Sequence, residues 1–322
     1  MNFSKKIIPV IILLFLSGVS ETNAQKTSPL GGSAGLPLRA GFAARGIGMG
    51  NALSAVSSGE ISGYYNPALV PFQTMRTAQV AFGILSLDRR LNFAGYGQQL
   101  KPTAGIFFGI INAGVSNIDG RDVDGQPTQT YSTSENSFFL SFGTRVSEQL
   151  SFGITSKILY YHLYEGLNST TVGFDVGVLY AINDQWTASA VIQDINAKYK
   201  WDTANLYGQT GNTTVDNFPL RRKLGICFRP DYYDATVSAE AEFVGPTFLG
   251  RLGAEISPLK QFTVRAGLDQ IDVDGNLIAK PSVGFTITPE FGFVSSYIHY
   301  AYVFEPYSPG NMHIISLSVT FD

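Results

Sequence analysis

The feature that most constrains this chain is a series of long stretches in which large apolar residues alternate with small or polar ones. In TVGFDVGVLYAI, residues 171–182, every second residue from Val172 to Ile182 is large and apolar, and most residues between them are Gly, Asp or Ala. The same alternation recurs in SFGITSKILYYHLYE (151–165), QFTVRAGLDQ (261–270) and HIISLSVTFD (313–322). A period of two predicts β-strands. Several stretches reach about ten residues, the length with which a tilted strand crosses a bilayer.

The two faces of these predicted strands favour a membrane barrel. One face carries Phe, Val, Ile, Leu and Tyr, and the other mixes Gly, Ser and Thr with charged residues. A transmembrane barrel turns its apolar face toward lipid and its small polar face toward the lumen. Short connections at 147–149, 183–185, 257–261 and 288–290 alternate with longer ones that include the polar segments 116–136 and 198–218. This rhythm is typical of the periplasmic turns and outer loops of outer-membrane barrels.

From Ala78 to the end of the chain the pattern gives about fourteen strands, an even number, as in bacterial barrels. The predicted fold is therefore all-β: a transmembrane antiparallel β-barrel of about fourteen strands. A soluble β-sandwich or propeller is the alternative. Strand length, the asymmetry of the connections and the lack of a repeat of fixed period argue against it.

The N-terminus has the pattern of a secretory signal. Lys5 and Lys6 precede the apolar run IIPVIILLFL, and Ala24 provides a small residue before a plausible cleavage point. An uncleaved anchor is the alternative, although the apolar run is short for one. We therefore expect three parts: a signal peptide at 1–24, a hatch or plug segment at 25–76 and a transmembrane barrel at 77–322. The expected location is the outer membrane of a Gram-negative-type envelope, with its lipid around the barrel.

The stretch FAARGIGMGNALSAVSSGEISGYYNPALVPF, residues 42–72, carries Gly46, Gly48 and Gly50 at a spacing like that of a dinucleotide-binding loop. Such a loop follows a strand and opens a helix within a βαβ unit. Neither the preceding residues nor the rest of the chain shows that pattern. The glycines instead suit a backbone that folds tightly where side chains would not fit. A segment of this kind before the first strand is predicted to lie in the lumen as a plug.

This stretch resembles the N-terminal signature of the PorV/PorQ family, part of the wider FadL-like group of outer-membrane barrels. The residues that carry the resemblance, which we take as the hatch motif, are Arg45, Gly46, Gly48, Gly50, Asn51, Asn66, Pro67 and Ala68. The resemblance implies a fourteen-stranded barrel with an N-terminal hatch segment in its lumen. It also implies one of two functions. The first is a non-enzymatic accessory role in type IX protein secretion, with secretion components or cargo proteins as partners. The alternative is a FadL-like channel for the uptake or export of hydrophobic small molecules.

Charged residues of both signs are predicted to face the lumen. By strand parity the inward set is Arg145, Lys157, Asp175, Lys223, Arg229, Glu240, Glu242, Arg251, Glu255 and Arg265. Pairing between neighbouring strands is the simplest expectation for them, and mixed signs argue against a simple ion-selective pore. An unpaired guanidinium from the hatch segment would be costly in the lumen. We therefore predict that Arg45 meets one of four inward carboxylates: Asp175, Glu240, Glu242 or Glu255.

No feature of the sequence indicates an enzyme, a cofactor or a metal. His162, His299 and His313 lie far apart in predicted strands, and no GxSxG motif occurs. Paired aspartates precede glycine at 121–126 and 272–276, where they could bind calcium, but Asp and Gly also favour turns. The net charge of -3 without a basic stripe argues against a nucleic-acid partner. The single cysteine, Cys227, excludes an internal disulfide framework.

Overall fold

The computed structural model describes residues 32–245, 247–273, 275, 277–289 and 295–321. The predicted signal peptide at 1–24 lies outside the described residues. Fourteen strands form one closed barrel with every neighbouring pair antiparallel, which confirms the predicted fold class and strand number. The first and last of the described strands pair with each other, so hydrogen bonds run around the whole circumference. Closure in this way leaves no free strand edge, as a barrel in lipid requires.

The strands in chain order are β1 (Arg76–Ile84), β2 (Arg89–Leu100), β3 (Ala104–Val115), β4 (Ile118–Arg121), β5 (Pro127–Tyr131), β6 (Ser134–Arg145), β7 (Leu150–Tyr164), β8 (Leu167–Ala181), β9 (Trp186–Ile195), β10 (Lys198–Asp202), β11 (Thr213–Asn217), β12 (Arg221–Phe228), β13 (Ala235–Val244), β14 (Thr247–Leu259), β15 (Phe262–Asp272), β16 (Lys280–Ile287), β17 (Ser295–Val303) and β18 (Met312–Phe321). Two α-helices, α1 (Ala43–Gly48) and α2 (Ala204–Tyr207), and three 3₁₀ helices, Pro37–Arg39, Pro67–Phe72 and Gly208–Thr210, complete the described elements. Within the described residues, no helix is long and apolar enough to cross a bilayer.

The barrel strands alternate between an apolar outer surface and a polar lumen, as the sequence period predicts. In β7, Phe152, Ile154 and Ile158 are 45%, 49% and 50% exposed on the outside. Thr155 and Lys157, between them, are 0% and 8% exposed because they point inward. Apolar side chains facing outward along most strands give the barrel the lipid-facing surface of a membrane protein.

The connections differ in part from the sequence expectation. At one end, here called the turn end, short turns join β2 to β3, β6 to β7 and β8 to β9. At the other, the loop end, the predicted polar loops 116–136 and 198–218 are not irregular: each contains a two-stranded hairpin, β4–β5 and β10–β11. The loop end also has a connection of only Glu165 and Gly166, between β7 and β8. The predicted alternation of short turn-end and longer loop-end connections is therefore wrong between β7 and β8, because these strands are long enough to meet in a tight turn.

The described residues before β1 lie inside the barrel. Residues 32–75, here called the luminal segment, contribute many of the buried apolar side chains of the main hydrophobic cluster, and residues of the barrel wall complete that cluster. α1 packs near β16, β17 and β18, and the 3₁₀ helix Pro67–Phe72 packs against β6, β7 and β8. The core of the protein is thus the interface between the luminal segment and the inner wall.

Candidate functional site

An aromatic cluster fixes the first half of the luminal segment against the wall. Phe42 is 1% exposed, and its ring centroid lies 5.3 Å from that of Phe93, 5.8 Å from Phe107 and 5.7 Å from Phe139. The Tyr65 hydroxyl accepts a hydrogen bond from the Phe42 backbone N–H at 2.9 Å. Burial raises the pKa of Tyr65 well above its ordinary value, so the hydroxyl stays neutral. Such aromatic contacts add to the free energy gained by burying apolar area.

Two glycines of the predicted hatch motif lie where no side chain would fit. A β-carbon on Gly46 would come within 2.0 Å of the Tyr65 hydroxyl oxygen. Gly50 has a φ of 58°, and a β-carbon there would lie 2.6 Å from the backbone nitrogen of Leu268 on the wall. The luminal backbone therefore touches the backbone of β15 directly, which only glycine permits. Close packing, and not phosphate binding, accounts for these two positions.

Arg45 lies beside Glu255, one of its four predicted partners. Its Nε and one terminal nitrogen donate to the two Glu255 carboxylate oxygens at 3.2 and 2.9 Å, a bidentate arrangement. The other terminal nitrogen donates to the backbone carbonyls of Ser58 and Glu60 at 2.9 and 2.7 Å. Burial lowers the pKa of Arg45, but the charge of Glu255, its hydrogen bonds and the charge of Glu60 together outweigh burial, and the pKa ends above its ordinary value. Whether this pair acts as a latch stays a prediction.

The other three predicted carboxylates pair elsewhere. Asp175 meets Lys157 at 2.8 Å. Glu242 pairs with Arg221 and Arg251, and Glu240 with Arg251 at 2.8 Å and Lys223 at 3.4 Å. Of these three, Glu240 also reaches the luminal segment, since it accepts from the backbone N–H of Ser54 at 3.3 Å. These wall carboxylates are balanced by wall cations, as expected for charges removed from water.

A second polar anchor was missed by the sequence reasoning. Glu60 lies 3.0 Å from Nε2 of His299, and the Ser318 hydroxyl donates to the same carboxylate. Nδ1 of His299 lies 2.7 Å from the Thr286 hydroxyl. Glu60 is the only acidic residue between 32 and 75, and that isolation was the signal that could have found it. The sequence predicts for His299 only a position in a strand.

The remaining residues of the motif also contact the wall. Asn51 donates to Asp269 at 2.9 Å. Asn66 is fully buried: it accepts from the Ala68 backbone N–H at 2.9 Å, which caps the 3₁₀ helix that begins at Pro67, and donates to the carbonyl of Val178 at 3.2 Å. A cap of this kind supplies a partner to an otherwise free helical N–H.

Among the described residues, a cavity lies on either side of the luminal segment. The one at the loop end, here called the outer cavity, holds about 380 Å³. Its apolar lining includes Leu36, Leu85, Leu91, Val115, Leu249 and Met312. The turn-end cavity holds about 390 Å³, and its lining is rich in hydroxyl groups, including those of Ser58, Thr77, Thr236, Ser257, Thr263 and Thr286. The two linings share no residue, so the luminal segment and the charged wall around it separate two chemically different spaces.

The aspartate runs behave as turns where the structure describes them. Asp122 accepts from the backbone N–H groups of Asp124 and Gln126 at 3.0 and 2.8 Å, which is the geometry of a side-chain-closed turn. Residues 274 and 276 of the second run lie outside the described residues. In the part of the chain that the structure describes, no group of three or more His, Cys, Asp or Glu side chains is placed to hold a metal ion.

The closed fourteen-strand barrel is similar in fold to solved structures of hydrocarbon transporters and channels. Among solved structures, the toluene transporter TodX of Pseudomonas putida is similar with a TM-score of 0.58 at 12% identity, over 87% of this chain and 96% of that chain. A Pseudomonas aeruginosa FadL homologue gives 0.59 at 12% identity, over 87% and 98%. The monoaromatic hydrocarbon channel CymD gives 0.58 at 13% identity, over 87% and 97%. At such identities the likeness establishes the fold alone. No protein-family model and no curated protein matches the chain.

Proposed function

We propose that this protein is an outer-membrane channel for small hydrophobic or amphipathic molecules, in which the luminal segment is a hatch. The observation that carries the proposal is the barrel fold, shared with hydrocarbon channels over 87% of the chain, with an apolar-lined cavity at its loop end. A molecule entering from the loop end would meet this cavity first and the hatch beneath it. Similar proteins named as channels or transporters also agree with a non-enzymatic role.

The charges of the outer cavity refine the class of molecule. The described residues that line it include six cationic side chains and three acidic ones: Arg39, Arg89, Arg90, Arg221, Arg251 and Lys280, and Glu135, Glu242 and Glu305. Arg90 donates to the Thr133 carbonyl at 2.8 Å and to the Ser116 hydroxyl at 3.3 Å. Among the described residues, no carboxylate lies within ion-pair distance of it. An apolar molecule with an anionic end would bury its body against the leucines and offer Arg90 a charged partner.

Uptake and binding of two matched probes test this proposal. Naphthalene-2-sulfonate and naphthalene share an aromatic body and differ in charge, and the sulfonate does not cross a lipid bilayer readily. Proteoliposomes containing the full-length protein should take up naphthalene-2-sulfonate faster than empty liposomes. Arg90→Gln should weaken calorimetric binding of the sulfonate about tenfold, the worth of one charge-assisted contact, and leave naphthalene binding unchanged. Arg121→Gln, on the exposed β4–β5 hairpin, is the matched control. No uptake and no binding would refute the channel.

The motif resemblance supports a second candidate, an accessory role in type IX secretion within the PorV/PorQ family. Its support is confined to the motif residues, and the similar solved structures named above are transporters, channels and a FadL homologue. The channel is therefore the better supported of the two. Isolation of the protein from its native membrane distinguishes them: co-purification of secretion components or cargo, with no uptake of either probe, would favour the accessory role.

A further inference from the structure

The two hairpins at the loop end differ in how they are attached to the barrel. Nearly all residues of β4 and β5 are exposed. In β10 the exposure alternates: Lys198, Lys200 and Asp202 face solvent, while Tyr199 and Trp201 are 1% and 7% exposed. Phe218, directly after β11, is 7% exposed. Residues 197–218, here called the outer hairpin, therefore have one face packed on the barrel mouth.

Aromatic and polar contacts hold the outer hairpin on the wall. The Tyr199 ring centroid lies 5.4 Å from that of Tyr161 on β7 and 5.0 Å from that of Phe218. The Tyr199 hydroxyl donates to Glu135 on β6 at 2.8 Å. Burial, with the Glu135 charge, raises the pKa of Tyr199 above its ordinary value, so this hydroxyl keeps its proton. The backbone N–H of Lys200 donates to Ser169 on β8 at 2.8 Å.

The same hairpin also contacts the luminal segment. A β-carbon on Gly35 would lie 2.0 Å from the Phe218 ring, so the ring rests directly on the luminal backbone. The Arg39 guanidinium carbon lies 5.3 Å from the Phe218 ring centroid, within cation–π distance. Nε of Arg39 is 3.5 Å from Asp194, which precedes the hairpin on β9. Phe218 therefore clamps the part of the luminal segment between Gly35 and Arg39.

The clamped residues also form part of the outer cavity. Leu36, Pro37, Arg39 and Ala40 line that cavity, so they separate a bound molecule from the lumen below. The luminal segment cannot leave its position without breaking its contact with Phe218. We infer that the outer hairpin is a lid that holds the N-terminal end of the hatch, so that the hatch is released only after the hairpin lifts. The inference rests on the proposed channel function.

Labelling of a buried cysteine tests the lid without any transported molecule. In full-length protein with Cys227→Ala, Ala44→Cys places a thiol on α1, where the native side chain is fully buried. A maleimide reagent reaches it only when the luminal segment moves. Phe218→Ala should label more than about tenfold faster, since burial of one large apolar side chain is worth at least that factor. Val215→Ala, on the same hairpin but 46% exposed, should label at the parental rate.

A milder variant keeps the test decisive if Phe218→Ala does not fold. Tyr199→Phe retains the ring and removes only the hydrogen bond to Glu135, and it should label about tenfold faster than the parent. Parental labelling rates in every hairpin variant that still migrates as a folded barrel would overturn the lid. Faster labelling in a protein that takes up no naphthalene-2-sulfonate would support the lid and refute the channel. Uptake of naphthalene-2-sulfonate by the wild type, with parental labelling rates in the variants, would support the channel and refute the lid.

Discussion

Replacing Arg45 by alanine should release the luminal segment while leaving the barrel closed. The guanidinium makes two hydrogen bonds to Glu255 and two to backbone carbonyls of its own segment, and its side chain is 8% exposed. Arg45→Ala removes all four bonds. The wall keeps its strand-to-strand hydrogen bonds, because none of these contacts belongs to the barrel ladder. The expected result is a folded barrel whose lumen opens more often.

The magnitude follows from what Glu255 retains. Removing one partner of a buried ion pair typically costs about 3–5 kcal/mol. Glu255 also pairs with Arg265 at 3.0 Å, so it keeps one cation after the substitution. We therefore expect the lower end, about 3 kcal/mol. At about 1.4 kcal/mol per tenfold change, the open state of the hatch should become roughly a hundredfold more populated. Glu255→Gln leaves both arginines without this carboxylate and should have at least as large an effect.

Conductance of the purified protein in a planar bilayer measures this change. Arg45→Ala should show more frequent or longer openings than wild type, and Arg45→Lys, which keeps the charge but loses the bidentate geometry, should be intermediate. Lys101→Ala, at an exposed position in a turn-end connection, and Arg121→Ala, on the exposed hairpin, serve as controls. If Arg45→Ala conducts no more than the wild type and these controls, the Arg45–Glu255 pair is not a latch.

Three further predictions concern the barrel and its hatch. The protein should migrate faster on a gel before heating than after it, because a closed barrel resists detergent; one unshifted soluble species would contradict the barrel. Protease added from the turn end should leave residues 40–69 of the wild type intact, and rapid cleavage there would contradict a luminal position. Asn66→Ala should make that region cleavable, because it removes a helix cap worth about 0.5–2 kcal/mol and the bond to Val178; wild-type protection would argue that Asn66 does not hold the segment.

The barrel was predictable because most of its strands carry their own signal. A lipid-facing strand must present apolar residues at every second position, so β7 and β8 could be identified from their own residues. The hairpin strands β4, β5 and β11 carry no such constraint, because they lie outside the lipid-facing wall and are almost wholly exposed. Their sequences are polar and short, and they were therefore predicted as loops.

The contacts of the luminal segment were harder to predict, since they depend on the path of the chain across the lumen. Strand parity placed Asp175, Glu240, Glu242 and Glu255 inward, and all four are largely buried in the structure. Strand parity does not indicate how far along the barrel axis Arg45 lies. It therefore could not predict which of the four carboxylates pairs with Arg45. The Glu60–His299 contact joins residues 239 positions apart, and nothing near either residue in the sequence indicates the other.

The strand that closes the barrel also contacts the segment inside it. On β18, Ser316 accepts from the backbone N–H of Ala44 at 2.8 Å, and Ser318 donates to Glu60. During assembly, β18 must therefore pair with β1 around a segment that precedes β1 in the chain. A barrel that closed while empty would then have to admit bulky residues such as Phe42 through its ends. When the protein refolds into lipid, we expect barrel closure and protection of residues 42–72 to occur at the same rate. Gel mobility measures barrel closure, and proteolysis measures the protection. In biogenesis, the barrel wall would then close around the luminal segment, and the segment would not enter a barrel that had already closed.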